Sequence, residues 1–148
     1  MLQLHEIAHY GRWFPYDGRI LPYWWYDTFS DQVINIDDMS LNMNFSNVCE
    51  IDVGYCICEG KIPFFRVNIP ELELKYANEF MRDKVPDMMR VNMEKMDYDF
   101  RKYIDENNLI AHWYKYELGV LLVEARKWCY NNNIPYIKDG CDQGMVPR

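Results

Sequence analysis

Residues 5–9 of this chain read His-Glu-Ile-Ala-His. On a helix, histidines at i and i+4 share one face, so both imidazoles could address one metal ion. Glu6 then stands where a general base acts on a metal-bound water. That chemistry is zinc-dependent hydrolysis, with His5 and His9 as ligands and Glu6 as the catalytic residue. A catalytic zinc site needs a third protein ligand. Gly11 follows His9 by two residues where the metzincin pattern requires three, and no later histidine occurs before His112. A carboxylate ligand would have to come from Glu50, Glu71 or Glu73, and the sequence does not choose among them. The competing expectation is a short N-terminal helix with Leu4, Ile7 and Ala8 inward and both histidines at the surface. It implies no metal, no cofactor and no catalytic residue, and it is the one favoured here.

Other chemical motifs are sparse. Cys56-x-Cys58 would place two thiols on one face of a strand, but no second pair follows at zinc-like spacing. Cys129 and Cys141 stand alone, and Cys129 fits a helix core as a small hydrophobe. His112 reads as a surface or helix-start residue. No Gly-rich phosphate loop, no G-x-S-x-G and no nucleophile beside a base is present. Five cysteines, an odd number, argue against a disulfide framework and for a reducing cytoplasm. The start of the chain lacks the basic and apolar regions of a signal peptide. No run approaches the length of a transmembrane span, so no membrane partner is expected.

Charge and aromatic residues mark a different kind of site. The chain carries net charge −7, and residues 31–60 hold six acids (Asp31, Asp37, Asp38, Glu50, Asp52, Glu59) without one Lys or Arg. Such a face does not bind nucleic acid, which requires clustered bases. It suits a basic protein partner. Residues 11–30 hold eight aromatics, including the adjacent pair Trp24 and Trp25. In a strand the two tryptophans point opposite ways. One faces the core; the other needs a second layer, a ligand or a partner. The expected partner-binding residues are therefore Trp24, Trp25, Asp37, Asp38, Glu50 and Asp52.

The elements that position these residues follow from periodicity. Pro15-Tyr16-Asp17-Gly18 predicts a turn with paired extended arms on either side. Val33–Ile36 predicts a short strand, followed by a polar loop over 37–47. Residues 48–58 alternate Cys49, Ile51, Val53, Tyr55, Ile57 against polar or small residues, which predicts a half-buried strand. A three-residue loop at Glu59–Lys61 would pair it with the next strand as Tyr55/Phe65, Val53/Val67 and Ile51/Ile69. Pro70 predicts the first turn of a helix capped near Asn68. Two long helices then follow. Met89, Met93, Met96, Phe100 and Tyr103/Ile104 form one stripe after Pro86, and Asn107-Asn108 closes it. Ile110, Tyr114, Leu118, Leu121/Leu122, Ala125 and Trp128/Cys129 form the second, stopped by Asn131–Asn133 and Pro135.

Ile69-Pro70, Phe80, Phe100-Arg101, Trp113-Tyr114, Ala125 and Trp128 make a pattern across residues 62–136. In it the chain resembles an uncharacterised family of small acidic bacterial proteins. That resemblance implies a fold and no activity.

The expected fold is a single α+β domain over 1–148. A small antiparallel sheet and aromatic arm from 1–69 pack against about three helices from 70–136. Residues 137–148 form a tail whose GMVPR resembles a protease-site remnant. The expected function is a non-enzymatic cytoplasmic protein-binding module, in its sharpest form an immunity- or inhibitor-type protein with an acidic docking face. The alternatives are the zinc hydrolase above and a small-molecule binder with a Trp-rich wall. Oligomeric state is left open.

Overall fold

The computed structural model describes residues 1–15, 18–82 and 93–138, without the side chains of 93–97. In chain order its elements are α1 (Leu4–Tyr10), β1 (Arg12–Trp13), β2 (Trp24–Asp27), β3 (Gln32–Asn35), α2 (Ile36–Asn42), α3 (Val53–Cys58), β4 (Lys61–Pro63), β5 (Val67–Asn68), α4 (Ile69–Phe80), α5 (Met93–Glu106) and α6 (Ile110–Asn131). A 3-10 turn, Val48–Glu50, precedes α3. The fold is α+β, as the sequence predicts.

Strand β2 is the centre of the N-terminal half. It pairs antiparallel with β3 and with β4, in the order β3-β2-β4. Side chains alternate across the sheet. Trp24 and Tyr26 face a core made with Leu4, Ile7 and Ala8 of α1 and Leu121, Ala125 and Trp128 of α6. Trp25 faces the other way, into a core with Ile36 and Met39 of α2 and Cys56 of α3. Helices therefore cover both faces of the sheet. The second cover comes from residues 36–58, which the sequence assigned to a loop and a strand.

That reassignment has a local cause. Three Asx side chains in this region cap helices and do not decorate a strand. Asn35 Oδ1 accepts from the Asp38 N–H at 2.8 Å. Asn47 Oδ1 accepts from Cys49 N–H at 2.9 Å, and Asp52 Oδ1 from Tyr55 N–H at 3.1 Å. Each cap satisfies a donor that the first helical turn leaves unpaired. The alternation over 48–58 misleads because a helix of six residues needs only one or two inward positions; here Cys56 is the buried one. The expected pairs Tyr55/Phe65, Val53/Val67 and Ile51/Ile69 do not form. Cys56 and Cys58 share no strand face either: Cys56 is buried and Cys58 exposed. Gly60, at φ +81°, turns the chain from α3 into β4, and its carbonyl accepts from Thr28 N–H at 2.8 Å.

The aromatic arm also pairs differently from the sequence expectation. Tyr16 and Asp17, the centre of the predicted turn, lie outside the described residues. Gly18 N–H reaches the Pro15 carbonyl at 3.3 Å. The strand before this turn, β1, pairs in parallel with β5 and not with β2. Gly11 permits that approach: a Cβ there would stand 2.0 Å from the Phe65 ring.

The helical half follows its sequence signals more closely. Asn68 Oδ1 caps α4 by accepting from Glu71 N–H at 3.0 Å, and Pro70 sits in the first turn. Asn108 (φ 56°) and Asn133 (φ 54°) close α5 and α6 in the left-handed region. Phe100 and Ile104 of α5 are buried with Tyr76 of α4 and Trp113 of α6 in a further core. Pro86, Met88 and Met89, and the side chains of Met93 and Met96, lie outside the described residues.

The first half of α6 is rotated relative to the expected stripe. Trp113, Glu117 and Leu121 point inward, while Ile110, Tyr114 and Leu118 are 37%, 51% and 44% exposed. Apolar residues occupy both faces of these turns, so periodicity does not set the rotation. Packing does. Trp113 lies edge-on to Tyr76 at 5.3 Å and to Phe100 at 4.8 Å. The Tyr76 hydroxyl and His112 Nδ1 share a 2.7 Å hydrogen bond that ties α4 to α6.

Candidate functional site

The His5-Glu6-x-x-His9 sequence does form a helix, and α1 buries Leu4, Ile7 and Ala8 against α6. His5, Glu6 and His9 lie on its exposed side. They line a cavity of about 440 Å³ with Tyr10, Arg12, Glu117, Leu118 and Leu121. Two further observations define what this face can do. Glu6 Oε1 accepts from Gln3 N–H at 3.2 Å, the N3 side of a capping box, so this carboxylate serves the helix start. Glu117, the carboxylate that the fold brings to the same cavity, is paired with Arg12 (Nε and Nη2 each at 3.4 Å). The sequence candidates for a third ligand lie elsewhere: Glu50 in the 3-10 turn, and Glu71 and Glu73 on α4. Glu73 is buried with its carboxylate 3.6 Å from Arg101 Nε. Among the described residues, no group of three or more His, Cys, Asp or Glu is arranged to hold a metal ion. Among the described residues, the carboxylates that share this cavity with the two imidazoles are Glu6, which serves the helix cap, and Glu117, which is paired with Arg12.

The acidic residues lie on the helical layer over Trp25. Asp37 and Asp38 stand in the first turn of α2, where negative charge complements the helix dipole. Glu50 and Asp52 flank the start of α3. All four are exposed. Asp38 and Asp52 also hold their helices in place: Asp38 Oδ2 accepts from Asn35 Nδ2 at 2.9 Å, and Asp52 caps α3. The Asp31 carboxylate accepts from the Met1 ammonium and from the Tyr26 hydroxyl, and both bonds hold it below the ordinary carboxylate range. Burial, then the Asp31 bond, push the Tyr26 phenol well above its usual value. Exposed apolar side chains share this α2–α3 layer: Leu41 at 73%, Tyr55 at 50% and Ile57 at 47%. The sequence reading put Tyr55 and Ile57 on the apolar face of a half-buried strand and Leu41 in a polar loop, and so expected none of them as an exposed helical residue. The Asx residues three positions before Asp38 and Tyr55 are the signal that would have turned this region into helices and these residues outward.

The two tryptophans do not join that layer as exposed anchors. Trp25 is fully buried beneath it. Its indole N–H donates to the Pro22 carbonyl at 2.9 Å. Trp24 is half-buried on the opposite face of the sheet, with Tyr10 at 5.1 Å and Tyr23 at 4.8 Å, both edge-on. Asp37, Asp38, Glu50 and Asp52 thus lie on the layer that covers Trp25, while Trp24 lies on the opposite face of the sheet.

No protein-family model matches this chain, and no curated protein or solved structure matches it significantly. Among the described residues no helix is long and apolar enough to cross a membrane.

Proposed function

We propose that this protein is a non-enzymatic protein-binding module that docks a basic partner on its α2–α3 layer. One observation carries the proposal. Residues 31–60 contain acids and no Lys or Arg, and the helices they form turn Leu41, Tyr55 and Ile57 outward among those acids. A single-signed field speeds encounter with a partner of opposite sign. Exposed leucine, isoleucine and tyrosine supply the apolar area that charge alone does not give. The sharpest form is an inhibitor-type protein that covers a basic site. This placement keeps the expected acidic residues and replaces Trp24 and Trp25 with Leu41, Tyr55 and Ile57 as anchors.

The test is affinity capture from the native host at low and high salt, followed by binding kinetics of the captured partner. Asp37→Lys with Glu50→Lys should slow association and flatten its salt dependence; neither carboxylate caps a helix. Tyr55→Ala with Leu41→Ala should speed dissociation, at a cost of about 2 kcal/mol in binding. An acidic partner, or one indifferent to both pairs of changes, overturns the proposal.

A further inference from the structure

A second site lies away from the acidic layer, in the aromatic arm. A cavity of about 250 Å³ opens between the Trp24 face of the sheet and the β1 and β5 strand pair. Arg12, Arg19 and Arg66 all line it, and no Asp or Glu among the described residues does. In a chain with 23 acids and 16 bases, that is an unusual local balance.

The arginines are arranged as anion donors. The Arg19 guanidinium lies 4.5 Å from the centre of the Tyr23 ring, and that of Arg66 lies 4.6 Å from the centre of the Trp13 ring. A guanidinium over an aromatic face keeps its N–H donors at its edge, available to a carboxylate or phosphate. Arg66 Nη1 donates to the Arg19 main-chain carbonyl at 3.4 Å, which ties the Arg66 side chain to the segment that carries Arg19. Arg12 is committed to Glu117, so the charge at the rim comes from Arg19 and Arg66.

The walls specify the rest of the ligand. Trp13, Tyr23, Trp24 and Phe65 contribute aromatic rings to the lining, with Arg66 over the Trp13 ring and Arg19 over the Tyr23 ring. Ligand pockets for drug-sized molecules run from about 300 Å³ upward. This one is smaller, which favours one ring over a nucleotide. We propose that the cavity binds a small organic anion with a flat apolar body, of the class of one-ring aromatic carboxylates. The carboxylate meets the Arg19 and Arg66 forks, and the ring lies among the aromatic walls. Because the whole protein is acidic, attraction is confined to the rim, and binding weakens as salt screens it.

The inference stands apart from the docking proposal, since it uses none of the α2–α3 acids. Its test is titration of the full chain with benzoate and phenylacetate, followed by calorimetry and tryptophan fluorescence. Benzamide serves as the neutral analogue, and acetate and inorganic phosphate as anions without a ring. The expected result is saturable binding of at least one aromatic acid, with each control about tenfold weaker or more. Arg19→Gln with Arg66→Gln should weaken it about tenfold or more while the melting temperature holds, and Lys127→Gln should change nothing. The proposal is overturned if neither aromatic acid binds up to about 10 mM, or if the double variant binds as the parent does. It is equally overturned if phosphate or benzamide binds as tightly as the acid.

Discussion

The Trp128 indole N–H donates to the carbonyl of Pro63 at 2.9 Å, joining the last helix to the edge strand β4 of the sheet. The Phe64 ring stacks on the same indole at 4.5 Å, with 17° between the planes. One side chain thus fixes where α6 lies against the sheet. Trp128→Ala should destabilise the protein by about 3–5 kcal/mol, the usual cost of deleting a buried aromatic. Trp128→Phe keeps the stack and loses the hydrogen bond, so about 1–2 kcal/mol is expected. Phe100→Ala in the neighbouring core belongs with the larger value. Denaturant unfolding measures all three, and a change below about 1 kcal/mol for either alanine variant would contradict the packing described here.

Trp24 and Trp25 should separate cleanly in the same assay. Trp25 is sealed between sheet and α2–α3 layer, so Trp25→Ala should cost about 3–5 kcal/mol. Trp24 is half-buried, and its truncation should cost about half as much or less. Its fluorescence should respond to a soluble quencher where that of Trp25 does not. Equal costs and equal quenching in single-tryptophan variants would place both on one face, against the alternation of β2.

Protein purified without added metal is expected to hold well below one zinc per chain, and chelation should leave the melting curve in place. His5 and His9 line a cavity in which Glu6 serves the helix cap and Glu117 is engaged by Arg12. His9→Ala should then leave stability near that of the parent. Glu6→Ala should cost about 1 kcal/mol through the lost cap. Elemental analysis decides: one zinc per chain, lost on His9→Ala, would restore the hydrolase reading, because a real site cannot lose a ligand silently.

Asp27 gives an acid-side prediction. Burial raises its pKa, but bonds from the Ser30 hydroxyl and the Phe29 N–H, with Lys61 nearby, more than offset this and leave it lowered. A carboxyl with a depressed folded-state pKa favours the fold above the unfolded value, about pH 4, and loses that contribution as pH falls through the folded one. Stability should therefore drop below about pH 4. Asp27→Asn should be less stable at neutral pH and should show a shallower drop. Parallel curves for the two proteins would remove Asp27 from this role.

The sequence by itself determined the elements whose signals are local and redundant. Helix α4 had Asn68, Pro70 and an apolar stripe; α5 and α6 had long stripes closed by Asn108 and Asn133. Each signal acts within a few residues of the chain, through a capped donor or a backbone angle, and needs no distant partner. The opposite sides of Trp24 and Trp25 were legible for the same reason, because alternation is a property of the strand itself. Tertiary structure decided everything that depends on what a face meets. It supplied a second layer over Trp25, and so buried a residue expected as an anchor. It made residues 48–58 a turn and a helix, because the Asx caps and the space beside Trp25 outweigh an alternation shared by two periods. It rotated α6 so that Trp113 and Glu117 point inward, since Tyr76, Phe100 and Arg12 wait there and no local pattern records them. It also gathered Arg12, Arg19 and Arg66 around one cavity. Arg12 and Arg66 are 54 positions apart and are brought together by the parallel pairing of β1 with β5, while the Arg19 carbonyl accepts from Arg66.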